Sequence, residues 1–305
     1  MSFILLGIFN SQASGSAVVA GVAGYFAGGV GLGSTVNKFT FPLDIRSILA
    51  TGLSFTENGS SGFANSGVAG YFAGGNSPIA TVDKLSFADD SRTTLGTGLS
   101  VARGDATPMS NSGVAGYVVG GGSYSTVVDK FAFPSDSRTT LGTGLSTARA
   151  YAGGMSNQGV AGYSGAGYDG GRLSSVEKFA FPSDTRSTLG TGVTTAAASV
   201  AGIANSGVAG YISGGNTPGT ITTVNKFAFP ADTRSVLGTG LATARNNHKG
   251  MANSGTAGYF GGGNTGGTSY SDVEKFAFPS DSRSVLATGL SAAGYGLSAM
   301  ANEGI

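Results

Sequence analysis

The chain has 305 residues, a formal net charge of +1 and 55 glycines, and only 11% of its residues are charged. Nucleic-acid binding requires a concentrated basic surface, so this near-neutral balance argues against that function. The sequence contains no cysteine, which excludes disulfides and thiolate metal sites and leaves the cellular compartment open.

The first 20 residues differ from the rest of the chain. They contain the apolar run FILLGIF at positions 3–9, with no basic residue before it. A secretory signal needs a positive n-region, and a membrane-spanning helix needs about 20 apolar residues, so the segment fits neither pattern well. We predict that residues 1–20 form a strand or an assembly contact without membrane insertion, and that residues 21–305 form one domain.

From residue 21 onward, one unit is repeated six times. The tyrosine of the motif AGY recurs at intervals of 46 or 48 residues, at Tyr25, Tyr71, Tyr117, Tyr163, Tyr211 and Tyr259. Each unit has four short apolar runs separated by turn signals, without the apolar spacing of a helix. Four-stranded units of about 40–50 residues are typical of β-propeller blades. We therefore predict an all-β, six-bladed propeller with four antiparallel strands in each blade.

The third unit illustrates the predicted blade. Its third strand carries Phe131 and Phe133, and its last strand, TTLGTGLS, carries Leu141 and Leu145, so each pair would share one face. A neighbouring blade must cover Phe131 and Leu145, since their own blade cannot. We expect the AGY tyrosines to lie in the core and the acidic residue and lysine before Phe131 to lie on a solvated strand face.

The end of the chain predicts how the ring closes. Residues 294–305 resemble the first strand of a unit, but no second strand follows them. We expect this segment to complete blade 1 beside residues 22–29. The alternative is that residues 16–21, SAVVAG, fill the same place.

The unit resembles a kelch repeat in its glycine pair, its glycine-bearing loop and the motif that follows them. The residues that carry the resemblance most clearly are Tyr168–Gly171 and Ser175–Phe179. Kelch repeats usually carry a tryptophan after the following turn. This chain instead has arginine at Arg46, Arg92, Arg138, Arg186, Arg234 and Arg283, and it has no tryptophan at all. The units also resemble kelch-like propellers of phage structural and tail proteins.

The loops divide into a uniform set and a variable set. Consecutive strands reverse direction, so the loops after strands one and three lie on one face, and those after strands two and four lie on the other. The first set is nearly constant and includes turns in which we predict structural roles for Asp136, Arg138, Asp184, Arg186, Asp232 and Arg234. The second set varies in length and chemistry, as expected for either binding loops or drifting exposed loops.

Candidate ligand residues lie in the variable loops. The kelch resemblance implies that the arginines of the TAR motifs surround the mouth of the central channel, with other polar residues close by. The predicted site comprises Arg103, Asp105, Arg149, Tyr151, Arg245, Asn247, His248 and Tyr295. Arginine, tyrosine and asparagine suit a carboxylate, a sulfate, the hydroxyls of a sugar or a peptide strand.

The sequence offers little for catalysis. It has one histidine, no nucleophile motif and no histidine–cysteine metal set, so we expect no cofactor and no enzymatic activity. We expect a structural and interaction protein of a virion or appendage, such as a phage tail. Its partners would be other structural proteins and a glycan or receptor on a host surface, not nucleic acid. A secreted lectin-like module is the alternative, and a propeller enzyme is a third.

Overall fold

A computed structural model describes residues 22–56 and 58–302. These residues form six four-stranded sheets and a separate two-stranded hairpin, and they contain no helix. All strand pairings within the sheets are antiparallel. The prediction of a six-bladed, all-β propeller is confirmed.

The strands are numbered in chain order. Blade 1 contains β1 (Ala23–Ala27), β2 (Val36–Thr40), β3 (Ile45–Ile48) and β26 (Ser298–Ala301), and blade 2 contains β4 (Ser61–Asn65), β5 (Ala69–Gly75), β6 (Ile79–Ser86) and β7 (Arg92–Thr94). Blade 3 contains β8 (Thr107–Asn111), β9 (Ala115–Val119), β10 (Val128–Ala132) and β11 (Ser137–Thr140), and blade 4 contains β12 (Gly153–Asn157), β13 (Ala161–Gly165), β14 (Val176–Ala180) and β15 (Thr185–Thr188). Blade 5 contains β16 (Ala201–Asn205), β17 (Ala209–Ser213), β18 (Val224–Ala228) and β19 (Thr233–Val236). Blade 6 contains β20 (Lys249–Asn253), β21 (Ala257–Gly261), β24 (Val273–Ala277) and β25 (Ser282–Val285), with the hairpin β22 (Asn264–Thr265) and β23 (Thr268–Ser269) in its variable loop.

The C-terminal strand closes the ring. β26 pairs with β1 and places Met300 opposite Tyr25, so blade 1 takes strands from both ends of the propeller. β26 also contacts the innermost strands of blades 2 and 6. The predicted C-terminal closure agrees with this pairing. Residues 1–20, and the alternative strand at 16–21, lie outside the described residues.

The outermost strands are shorter than predicted. In blade 3, β11 ends at Thr140, and Leu141 and Leu145 follow it in a loop rather than in a strand. This loop stays tight because Gly144 passes close to a carbonyl: a Cβ at this position would lie 2.3 Å from the Thr126 oxygen. Leu145 is still buried against blade 4, so its predicted packing holds although its secondary structure does not.

The aromatic core lies between blades. Phe131 packs on Phe63 of blade 2, with ring centroids 5.7 Å apart, and Phe133 stacks on Tyr71 at 5.4 Å. All four rings are buried, and together they belong to one apolar cluster shared by blades 2 and 3. Each blade is therefore covered by its neighbour, as the sequence predicts.

A repeated set of tyrosine, lysine and aspartate, which we call the latch, joins each blade to the next. Between blades 2 and 3, the Tyr71 hydroxyl donates to Asp136 Oδ1 at 2.6 Å, and Lys84 Nζ donates to Oδ2 at 2.6 Å. Lys84 also lies 5.5 Å from the centre of the Tyr71 ring. Burial raises the pKa of Tyr71 well above its usual range, and the Asp136 carboxylate raises it further, so the hydroxyl remains a donor.

The same latch occurs at all six junctions. The other sets are Tyr25/Lys38/Asp90, Tyr117/Lys130/Asp184, Tyr163/Lys178/Asp232, Tyr211/Lys226/Asp281 and Tyr259/Lys275/Asp44. Each aspartate has a φ of 56° or 57°, a left-handed conformation that aspartate tolerates better than most residues. The last set joins blade 6 to blade 1. Its side-chain contacts therefore stabilise the closed ring, as the backbone pairing of β26 does.

The latch refines two sequence predictions. The turn aspartates Asp136, Asp184 and Asp232, for which structural roles were predicted, accept hydrogen bonds from the neighbouring blade. The lysines and the acidic residues before them were expected on a solvated strand face, and that expectation is wrong. The lysines are partly buried in ion pairs between blades, and Asp83, Asp129 and Glu177 are buried. The turn arginines contact residues of their own blade or of the loop that precedes it. Arg138 lies 3.5 Å from Asp129, and Arg186 lies 3.6 Å from Glu177. Arg234 donates to Thr194 at 2.8 Å.

Main chain nearly fills the centre of the ring. A Cβ at Gly154 would lie 2.0 Å from the Pro108 oxygen, and one at Gly202 would lie 2.0 Å from the Gly154 oxygen. The remaining central cavity is about 20 Å³, little more than the space of one water. The centre of the disc is therefore too narrow for a ligand, which directs attention to its faces.

Candidate ligand-binding face

Six main-chain positions form a ring at the mouth of the channel on the variable face, which we call the mouth ring. Its members are Gly59, Asp105, Tyr151, Ser199, Asn247 and Gly296, one from each loop that joins two blades. Around the ring, the amide of one member donates to the carbonyl of another at 2.6–2.9 Å. These hydrogen bonds run from Gly59 to Gly296, Asp105 to Gly59, Tyr151 to Asp105, Asn247 to Ser199 and Gly296 to Asn247. A longer bond of 3.4 Å from Val200 to Tyr151 completes the circuit.

Every member of the mouth ring has a positive φ, between 50° and 74°. Glycine adopts this conformation freely and aspartate and asparagine tolerate it, whereas tyrosine and serine do so at a cost. The hydrogen bonds of the ring hold Tyr151 and Ser199 there against their own preference. The ring thus fixes which side chains stand at the mouth: Asp105, Tyr151, Ser199 and Asn247.

A cavity of about 410 Å³ opens beside the mouth ring, at the junction of blades 2 and 3. Its walls are formed by Asn76, Pro78, Ala102, Arg103, Gly104, Asp105, Gly122, Ser123 and Tyr151. Asp105 is only 7% exposed, and the side chains of Asn76 and Tyr151 lie near enough to its carboxylate to favour its charged form. Burial raises the pKa of the Asp105 carboxyl above its usual range, although Lys249, Asn76 and Tyr151 each oppose that shift.

The three TAR arginines lie beneath this face and form ion pairs in the interior. Arg103, Arg149 and Arg245 are at most 2% exposed. Arg103 lies 3.0 Å from Asp129 and Arg149 lies 2.8 Å from Glu177, and these carboxylates have no exposed surface. Arg245 pairs with Asp272 at 2.6 Å and with Glu274 at 3.1 Å.

The repeats themselves explain these arginines. Each arginine accompanies a buried acid at the second position of the third strand of the next blade. Where the arginine position holds Ala197 or Gly294, the matching strand position holds Asn225 or Asn37, which are neutral. The asparagine side chain, like the acids, accepts a hydrogen bond from the loop that precedes the blade. For example, the Thr194 amide donates to Asn225 at 2.9 Å. The arginines therefore compensate buried carboxylates.

The prediction that the arginines face a ligand needs correction, and the same holds for His248. The His248 side chain is fully buried, shares a 2.9 Å hydrogen bond with Ser213 and contacts the edge of Phe260. Burial, followed by the charges of Arg245 and Lys249, lowers the pKa of His248 well below its usual value, so the imidazole is neutral. The kelch resemblance implied that these residues lie near the mouth, but the sequence does not show that their side chains point inward.

Four of the eight predicted site residues lie in or next to the mouth ring, and a fifth, the buried Arg103, lines the cavity beside it. Asp105, Tyr151 and Asn247 belong to the mouth ring, and the half-buried Tyr295 precedes Gly296 and pairs through its main chain with Val30. The structure adds Asn76 and Ser123 from the variable loops, which carried no motif. Only their place in those loops could have suggested them.

Comparisons with known proteins support the fold only. No known protein family matches the chain, and no curated protein matches it either. A solved structure described as "Structure of YjhT" is similar, with a TM-score of 0.69 and 14% identity, over 86% of this chain and 97% of that chain. At this identity the likeness shows a shared propeller architecture.

Residues 22–56 and 58–302 include no helix that is long and apolar enough to cross a membrane. Across the same residues, no group of three or more histidine, aspartate or glutamate side chains is arranged to hold a metal ion.

Proposed function

We propose that the protein is a non-enzymatic, kelch-like interaction propeller of a virion or appendage, and that its variable face attaches to a host surface or a partner. The single observation that carries the proposal is the contrast between its two faces. One face repeats the same contacts from blade to blade, whereas the other surrounds a fixed mouth ring with different side chains.

The uniform face is suited to support. Its inner turns hydrogen-bond to one another around the disc: the amides of Ser66, Ser112, Gln158 and Ser206 each donate to the next turn at 2.6–3.0 Å. The six latches lie nearer the rim of the same side. Six equivalent turns suit packing against structural neighbours, including a partner with matching symmetry.

The variable face is suited to recognition. The blades place an aspartate, a tyrosine, a serine, an asparagine and two glycines at equivalent points of the mouth ring. Longer loops stand around it, with Tyr124 packed edge-on against Tyr168, and Arg172 donating to the carbonyl of Asn216 in the next blade at 2.8 Å. A rigid scaffold with changeable loops is the usual way in which a repeat protein binds a ligand.

The non-enzymatic part of the proposal rests on the enclosed histidine. His248 is the only histidine in the sequence, and it lies neutral beneath the surface. The kelch-like part rests on the glycine pair that ends a second strand, such as Gly120 and Gly121, both at positive φ. Both supports agree with an attachment protein.

Binding of the purified protein to cells tests the proposal. The full chain would be labelled and added to cells of its native host range, beside variants of each face. We expect Tyr151→Ala combined with Asn247→Ala to reduce attachment at least tenfold, whereas Ser135→Ala in an exposed uniform-face turn should leave it unchanged. Attachment that depends on the uniform face would reverse the assignment.

The place of the protein in a particle is a separate measurement. Mass spectrometry and immunogold labelling of purified virions or appendages should find the chain in the particle. If it occurs only as a free secreted protein, the lectin-like alternative replaces the virion proposal, while the variable face keeps its role.

A further inference from the structure

The cavity between blades 2 and 3 has walls that suggest a ligand class. We propose that it is a subsite for a neutral saccharide, held by the Asp105 carboxylate, the Asn76 amide and the Tyr151 ring. This inference rests on the proposed role of the variable face and specifies what that face binds.

The polar groups of the cavity are of the kinds that recognise sugar hydroxyls. The Asp105 carboxylate only accepts hydrogen bonds, the Asn76 amide donates and accepts, and the Ser123 hydroxyl does both. Tyr151 adds an aromatic surface for the apolar face of a sugar ring and a hydroxyl at its end. The volume of about 410 Å³ falls in the range of about 300–1,000 Å³ for small-ligand sites.

The charged groups of the walls favour a neutral ligand over an acidic one. Arg103 lines the cavity, but its guanidinium already donates to the carbonyls of Val101, Gly120 and Val118 at 2.8–3.1 Å, and it pairs with Asp129. Lys249 lies in the central channel rather than in the cavity wall. The nearby Lys249 charge partly offsets that of Asp105, but the cavity wall itself offers an acidic ligand no free cation, whereas the Asp105 carboxylate can accept hydrogen bonds from hydroxyl donors.

The subsite is formed before any ligand arrives. The mouth ring fixes the Asp105 backbone, Asn58 Oδ1 holds the Asn76 amide at 2.7 Å, and the Asn76 and Tyr151 side chains favour the charged form of the Asp105 carboxylate. Gly59 makes room for it, because a Cβ at Gly59 would lie 2.7 Å from Asp105 Oδ1. A buried carboxylate held in this way keeps an acceptor oriented toward the cavity at an energetic cost, which is common at binding sites.

Saturation-transfer NMR and calorimetry on the full chain test the inference. The probes are galactose, glucose, mannose, N-acetylglucosamine and N-acetylgalactosamine, compared with glucuronic acid and N-acetylneuraminic acid. We expect saturable binding of at least one neutral sugar, and binding at least tenfold weaker for the acidic sugars. Equal or preferential binding of the acidic sugars, or no binding of any neutral sugar, would overturn the inference.

Variants then locate the binding. Asp105→Asn keeps the shape of the side chain and should weaken binding of the neutral sugar at least tenfold, and Tyr151→Ala should do the same. Ser135→Ala, in an exposed turn of the uniform face, should bind like the parent. Circular dichroism of each variant verifies the fold, and parent-like binding by Asp105→Asn would refute the subsite.

The cell-attachment experiment separates this inference from the proposed function. If attachment depends on the variable face but free neutral sugars do not inhibit it, the saccharide subsite is wrong and the function stands. If attachment ignores the variable face, the proposed function fails whatever the NMR titration shows.

Discussion

The two sides of the disc hold the same blade junctions in different ways. Toward the uniform face, every junction has one latch of tyrosine, lysine and aspartate. Toward the variable face, the junction contact is made by the third-strand residue just before the latch lysine. This residue is an acid in four blades, Asp83, Asp129, Glu177 and Glu274, and a neutral amide in two, Asn37 and Asn225. The latch is repeated at every junction, whereas the contact made by this third-strand residue takes several forms.

This difference shows where the repeats are free to diverge. A latch uses a carboxylate, an ammonium and a phenol from two blades, so a change of one member leaves the others unpaired. The acid of the variable side forms its bonds within a small region, and an arginine–acid pair can be replaced by asparagine and a small residue without an unpaired charge. The side that tolerates such replacements is also the side that carries the cavity.

Breaking the closure of the ring should reduce stability more than any other change, because it disrupts both sides of the disc at once. Removal of residues 294–305 deletes β26 and leaves the inner edge of blade 1 unpaired. We expect loss of cooperative unfolding or aggregation, measured by calorimetry and light scattering. Removal of 303–305 alone is the control. If the larger deletion melts like the parent, blade 1 is closed in another way.

The comparison is sharpened by converting one charged junction into a neutral one. Arg149→Ala removes the closer cation of the buried Glu177 carboxylate, at 2.8 Å, and leaves only Arg186 at 3.6 Å. We expect this to cost about 3–5 kcal/mol in the free energy of unfolding. Arg149→Ala combined with Glu177→Asn copies the Ala197/Asn225 junction and should recover most of that loss. Chemical denaturation measures both. A double variant no more stable than Arg149→Ala would contradict compensation between the two positions.

The latch should show a smaller effect at a single junction. Asp136→Ala removes the acceptor of the Tyr71 hydroxyl and the partner of Lys84, and we expect a loss of about 1–3 kcal/mol. Ser135→Ala, at an exposed position of the same turn, should change the free energy of unfolding by less than about 0.5 kcal/mol. Equal effects of the two substitutions would mean that the latch contributes nothing beyond the turn.

The smallest predicted effect is a pH dependence beneath the variable face. Burial keeps His248 neutral in the folded state, whereas in the unfolded chain its pKa lies near 6.5, so protons bind preferentially to the unfolded chain as the pH falls. This favours unfolding by about 0.8 kcal/mol between pH 7.5 and pH 6. His248→Gln should lose that part of the pH dependence in thermal melts. The same slope in both proteins would mean that folding does not lower the pKa of His248.

Repetition made much of the fold predictable. The 46- or 48-residue period and the four apolar runs predict six blades, and the orphan first strand at the end of the chain predicts the closure. Phe131 and Phe133 were placed in the core because a residue repeated at a strand position is repeated for packing. The lengths of the outer strands were not predictable, because the glycines near Leu145 permit a strand or a tight loop equally.

The site was predicted only in part. Asp105, Tyr151 and Asn247 were found because the variable loops differ from blade to blade. Arg103, Arg149 and His248 were placed with them because sequence gives the loop and not the direction of the side chain. Asn76 and Ser123 were missed because no motif marks them.

The amino-acid sequence by itself determined the number of blades, their strand order and the division into a uniform and a variable side, since each follows from which positions repeat. Only the tertiary structure decided which charges lie inside. Arg103 and Lys84 read as surface residues in a single repeat, and they become interior or half-buried partners because an adjacent blade supplies Asp129 and Asp136. The physical reason is that each contact between blades needs residues from both blades. Whether a charged side chain lies in water or against an opposite charge depends on the residue that the neighbouring blade, about 46 residues away in the chain, places beside it.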